Sequence, residues 1–63
     1  MREIGEGVQV EVAGDRLQIV IDLKRPGRTS RSGKTRVIAT TNGNKAVVDS
    51  STYVGLTLFR YEP

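Results

Sequence analysis

The nine residues GRTSRSGKT, from Gly27 to Thr35, hold the ingredients of a phosphate loop: glycines, a lysine and an adjoining hydroxyl. In a Walker A loop, G-x-x-x-x-G-K-[ST], backbone amides cradle the phosphates, the lysine reaches the β/γ-phosphates and the hydroxyl binds magnesium. Here five residues, rather than four, separate Gly27 from the Gly33-Lys34-Thr35 end. Such a loop must also open a helix whose N-terminal amides point at phosphate. RVIATTNG, which starts at Arg36, is instead β-branched and stops at a turn dipeptide. LQIVID, ending at Asp22, has the look of a Walker B strand, but it precedes the loop. The expectation is that no nucleotide binds at a P-loop here.

The same stretch suits a simpler chemistry. Lys24, Arg25, Arg28, Arg31, Lys34 and Arg36 place six of the ten basic residues within thirteen positions that contain no acid. The rest of the chain has four basic residues against seven acidic ones, a net charge of −3. A concentrated cationic segment on a mildly acidic body points to an anionic partner. In the functional reading, these six cations track nucleic-acid phosphates while Ser and Thr hydroxyls add hydrogen bonds. In the bland reading the segment is a solvated loop kept soluble by its charge. Tyr53, Phe59 and Tyr61 could stack bases, but subunit interfaces enrich for the same residues. The oligomer interface is the expected role for these three.

Catalysis has little to stand on. Histidine and cysteine are absent, which removes thiol nucleophiles, a neutral-pH histidine base and the usual zinc ligands. Asp22 with Glu11, or Asp49 with Ser50 and Ser51, could be imagined as acid/base or nucleophile sets. Asp49 is better explained as a cross-strand partner of Arg36, and the serines as turn residues. No enzyme, catalytic residue, metal or cofactor is expected.

The elements that must carry these residues are strands. From residue 8 to residue 23, apolar Val8, Val10, Val12, Leu17, Ile19, Ile21 and Leu23 alternate with other positions around Gly14-Asp15. Glycine supplies the positive φ of a type II′ turn. Setting Ala13 opposite Arg16 pairs Val12 with Leu17, Val10 with Ile19 and Val8 with Ile21, giving one apolar face. Asn42-Gly43 is the strongest short signal for a type I′ turn. Counting outward from it pairs Ala39 with Ala46, Ile38 with Val47, Val37 with Val48 and Arg36 with Asp49. In TYVGLTLFRY, Val54, Leu56 and Leu58 fall on one face and Tyr53, Thr57, Phe59 and Tyr61 on the other. Gly55 there reads as a bulge or a close backbone approach.

This predicts a single all-β domain over residues 1–63, with four to five short antiparallel strands from two hairpins plus a C-terminal strand. The arrangement expected is a meander or small partly open barrel, with a basic loop at about residues 24–35 whose stretch from about Arg25 to Gly33 reads as a mobile connection. At 63 residues such a chain buries only roughly 60% of its unfolded surface. With no disulfide or zinc staple and two-faced apolar strands, a homodimer or higher oligomer is expected. The longest aliphatic run, Ile19-Val20-Ile21, is far short of a membrane span. MREIGEG does not resemble a signal peptide, so a soluble, cytoplasmic location is expected.

SGKTRVIATTNGN, from Ser32 to Asn44, followed by VGLTLFRY, from Val54 to Tyr61, resembles a pattern in short uncharacterised bacterial and phage proteins. That pattern is roughly SGK-x-x-V-[IV]-A-[ST]-T-x-GN, then VGL-x-x-[YF]. The resemblance covers about the second half of the chain, carries no known activity, and implies the Asn42-Gly43 turn. Two function classes follow from the sequence as a whole. One is a non-enzymatic nucleic-acid-binding module that uses the basic loop. The other is a protein-interaction module, or a small regulatory or phage-type structural protein, acting through homo-oligomerisation.

Overall fold

The computed structural model, which describes residues 1–62, is built from eight short strands and contains no helix among those residues. In chain order these are β1 (Arg2–Ile4), β2 (Val8–Ala13), β3 (Arg16–Val20), β4 (Arg28–Thr29), β5 (Thr35–Thr40), β6 (Lys45–Ala46), β7 (Tyr53–Val54) and β8 (Thr57–Tyr61). They form three antiparallel sheets, ordered β1-β2-β3, β4-β5-β8 and β6-β7, with no barrel closure.

The first hairpin follows the alternation of its sequence. Ala13 faces Arg16, Val12 faces Leu17 and Val10 faces Ile19. Gly14 has a φ of 61° while Asp15 does not enter positive φ, as a type II′ turn requires. The strand β1, which the sequence reading left out, adds to the other edge of β2 through Arg2↔Val10 and Ile4↔Val8.

The second hairpin is corrected. Asn42 and Gly43 do take positive φ, at 55° and 99°, but β6 pairs with β7 and not with β5. The reason is that both edges of β5 are already occupied. β4 holds one edge at Arg36 and Val37, and β8 holds the other from Thr35 to Thr40. At Thr40 the first edge is taken by Glu6, through an isolated antiparallel bridge. Glu6 N donates to Thr40 O at 2.7 Å and Thr40 N donates to Glu6 O at 3.0 Å. No edge of β5 is left beside Thr40 for residues 45–49 to start a hairpin on. The bridge needs glycine beside it: a Cβ on Gly5, whose φ is +69°, would lie 2.4 Å from Thr40 O.

A bulge interrupts the β5–β8 ladder. Val37 faces Phe59 and Ala39 faces Leu58, so Ile38 is the extra residue. Gly55, expected to mark a bulge or a close backbone approach in the last strand, lies between β7 and β8. It is a place of close approach, since a Cβ there would meet Asn44 Oδ1 at 2.3 Å.

The core is small. Ile4, Val8, Val10, Ala39 and Val47 form its buried cluster, flanked by partly buried Ile21, Val54 and Leu56. The apolar face read from Val54, Leu56 and Leu58 does turn inward, while Tyr53, Thr57, Phe59 and Tyr61 are exposed. The molecule measures 41 × 21 × 14 Å, and its thinnest dimension leaves room for little more than two layers at the usual sheet spacing of about 10 Å.

Two polar residues are buried with this core, Thr40 and Thr41. The Thr41 hydroxyl accepts from Leu56 N at 3.0 Å and donates to Gly43 O. Thr41 N also donates to Leu56 O at 3.1 Å. One side chain therefore fastens the 42–44 turn to the approach of β8. Thr41→Val keeps the shape but leaves the part-buried Leu56 N–H without its hydroxyl partner, so it is expected to cost about 1–3 kcal/mol. Urea unfolding of this variant beside Thr29→Val, at an exposed strand position, checks this; equal midpoints would refute the assignment.

Candidate nucleic-acid interface

The stretch that resembles a phosphate loop folds as a hairpin. Ser30 N donates to Thr35 O at 2.8 Å and Gly33 N to Ser30 O at 3.0 Å, closing a turn between β4 and β5. The hydroxyls of Ser30, Ser32 and Thr35 hold this tip together: Thr35 Oγ1 donates to Ser30 Oγ at 2.6 Å, and the two serine hydroxyls lie 3.1 Å apart. Gly33-Lys34-Thr35 thus leads into a strand, with no helix N-terminus to present amides to phosphate. The stretch from about Arg25 to Gly33, read from sequence as a mobile connection, contains β4.

The six cations divide by what holds them. Arg25 is a strap, half-buried, with Nη1 donating to Ile38 O at 2.7 Å in the bulge. Its guanidinium lies where a Cβ on Gly7 would be, at 1.9 Å from Nη1. Arg36 pairs with Glu62 and donates to Pro26 O at 2.9 Å, which corrects the expected Arg36–Asp49 pair. Arg28 pairs with Glu6 at 3.1 Å, and both side chains stay well exposed, so that pair contributes little to stability. Lys24, Arg31 and Lys34 are exposed and form no salt bridge among the described residues.

Asp49, freed of Arg36, organises its own turn. Its Oδ1 accepts from Ser51 N at 2.9 Å and from Ser51 Oγ at 3.1 Å. These bonds, the one from the Ser51 amide foremost and that from the Thr52 side chain next, hold its carboxyl below the ordinary carboxylate range. Asp22 Oδ1 accepts from Lys24 N at 2.9 Å, in a local turn. Among the described residues no group of three potential metal ligands comes together.

Facing residues of a ladder share one side of the sheet, so β4-β5-β8 has two distinct faces. On one, Arg28, Val37 and Phe59 form a row, and Thr35 with Tyr61 forms the next. Phe59 and Tyr61 meet edge to face with centroids 5.6 Å apart, and they are 49% and 75% exposed. On the other face the row is Thr29, Arg36 and Arg60. There the chain at 23–26 lies over the arginines, since Arg60 Nη2 donates to Leu23 O at 3.4 Å and Arg36 to Pro26 O. The aromatic face is therefore open and the arginine face partly covered.

Of the sequence-derived site residues, Phe59 and Tyr61 meet on the open face of this sheet, while Arg31 and Lys34 lie in the turn at its hairpin end, where Glu62 N donates to Lys34 O at 2.9 Å. Lys24 stands apart on the covering segment, and Tyr53 belongs to the β6-β7 sheet. Sequence reasoning missed Arg60, a lone cation outside the basic run. It also missed Glu6, whose Oε2 accepts from both Arg28 and Asn42. Glu6 and Arg28 are 22 positions apart, so no local pattern announces them. Comparison with protein-family models, with curated proteins and with solved structures returns no match, and the site is read from its own geometry.

Arg25→Ala removes a charged donor from a half-buried carbonyl and is expected to cost about 1–2 kcal/mol, toward the low end for charge-assisted bonds. Arg31→Ala and Lys34→Ala should stay within about 0.5 kcal/mol of wild type. Thermal unfolding of the three variants separates the strap from the free cations; an Arg25→Ala protein as stable as the other two would contradict the division.

Proposed function

We propose that this chain is a small, non-enzymatic, cytoplasmic module that binds single-stranded nucleic acid, with Arg31 and Lys34 on phosphates and Phe59 and Tyr61 under bases. The observation that supports this reading is that one end of one sheet carries two open aromatic rings and, in the adjoining turn, two exposed cations that form no salt bridge among the described residues. Mobile, unpaired cations release counterions from a phosphate backbone on binding, which supplies affinity without regard to sequence. Aromatic rings offer stacking surface that every base can use. Lys24 extends the positive field from the covering segment, and Arg28 joins by exchanging Glu6 for a phosphate. Arg25 and Arg36 have a structural duty and contribute charge only.

The strand is unpaired because of spacing. Phe59 and Tyr61, two residues apart on an extended strand, are separated by about 6.8 Å along the chain. Bases in a duplex stack about 3.4 Å apart and hide their faces, whereas a single strand can splay its bases onto a sheet. No catalytic group is called on.

Fluorescence anisotropy with single-stranded DNA, single-stranded RNA and duplex DNA across salt concentrations tests this. Three engaged cations on a single strand give a log K against log salt slope near about −2, from roughly −0.7 per phosphate. Arg31→Ala with Lys34→Ala should flatten that slope by about 1.4. Phe59→Ala should lower affinity by about 1–3 kcal/mol without changing the slope. Absence of binding at low salt would remove this reading in favour of a protein-interaction module, and tighter binding to duplex would remove the aromatic role.

A further inference from the structure

The strand β3 pairs with β2 along one edge only, and all five of its residues are exposed. Its sequence, RLQIV, contains no proline, lysine or bulge, the devices by which free edges resist pairing. On the core side of the same hairpin, burial ends abruptly. Val8 and Val10 are covered, but Val12 is 46% exposed, Leu17 36% and Ile19 40%, with Val48 beside them at 55%. An open edge and a bare apolar strip thus occupy one hairpin.

We propose that a second copy of this chain covers both, through antiparallel β3–β3 pairing about a two-fold axis at Gln18. The strand is complementary to itself in that register. Gln18 faces Gln18, Leu17 faces Ile19 of the second copy, Arg16 faces its Val20, and each unlike pair occurs twice. Because facing residues share a side, Leu17 and Ile19 of both copies join the two Val12 side chains in one apolar band. A slip of one residue would turn the apolar face of one copy toward the polar face of the other. The charges agree with the same register. Arg16 faces Val20 of the second copy, which brings it toward that copy's Asp22, two residues beyond the end of β3. This approach also occurs twice, and no like charges face each other. The two meanders merge into one sheet ordered β1-β2-β3-β3-β2-β1, an isologous and closed arrangement. The contact lies on β3, away from the Tyr53, Phe59 and Tyr61 contact expected from sequence, and leaves the aromatic face open.

The chain has no cysteine, so Gln18→Cys introduces its sole thiol at the axis. Facing Cβ atoms lie about 4.5–5.5 Å apart, within reach of oxidation or a short bis-maleimide. Gln18→Cys should cross-link to a dimer several-fold more than Thr57→Cys, an exposed control on β8. Sedimentation at tens of micromolar should give a wild-type dimer and an Ile19→Lys monomer with an unchanged β-type circular dichroism spectrum. A wild-type monomer, or equal cross-linking at the two cysteines, overturns the inference. So does a dimer that survives Ile19→Lys but dissociates on Phe59→Ser, which would put the contact on the aromatic face. The cross-linking arm stands even if Ile19→Lys fails to fold.

Discussion

A β-strand has two hydrogen-bonding edges, and the whole arrangement of this chain depends on how β5 uses its pair. One edge is taken along its length by β8. The other is shared between β4 at Arg36 and Val37 and the Glu6 bridge at Thr40. A strand with both edges filled cannot also close a hairpin with the chain that follows it. Residues 45 and 46 therefore find β7, and the protein divides into three small sheets. A thin body follows, as does a core of few residues and a surface with more apolar side chains than a chain this size can cover.

The polar groups compensate where the apolar ones cannot. Buried backbone atoms must be paired, and Thr41 answers for both the 42–44 turn and Leu56 with one hydroxyl. Arg25 does the same for the Ile38 carbonyl at the bulge. Among the described residues no buried side-chain polar atom lacks a partner. Charge that looks like a binding run in the sequence is thus partly internal wiring. What remains for an external anion is the smaller set, Lys24, Arg31 and Lys34, that forms no salt bridge among the described residues.

Much of the architecture was legible where the determinants are local. Gly14-Asp15 and the period-two alternation around it fix the first hairpin and its register, because a one-residue slip would reverse every side chain. The alternation of Val54, Leu56 and Leu58 against Tyr53, Thr57 and Phe59 correctly separates inside from outside. Asn42-Gly43 gives the expected backbone conformation but not the expected pairing. Turn chemistry specifies how the chain bends, and the competition for β5 is decided by Glu6 and Thr57, both far away in sequence. The cationic run was visible as composition, yet its division into strap, paired and free residues depends on Gly7, Glu6 and Glu62, which no spacing rule connects to it.

The Glu6–Thr40 bridge has a further consequence for how the protein opens. It supplies one reciprocal pair of backbone hydrogen bonds between the β1-β2-β3 meander and β5. The meander is held internally by consecutive, short-range pairings, while β5 and β8 meet across a long stretch of chain. Structures joined this way come apart in contiguous cooperative units with different opening free energies. The meander, whose loops close cheaply, is expected to form first. The β5–β8 pairing carries the greater loop-closure entropy, but Ile38, Ala39 and Thr40 of β5 are buried whereas all of β3 is exposed, so once formed it is expected to be the better protected. In hydrogen-exchange terms, the Glu6 and Thr40 amides mark the seam between two foldons.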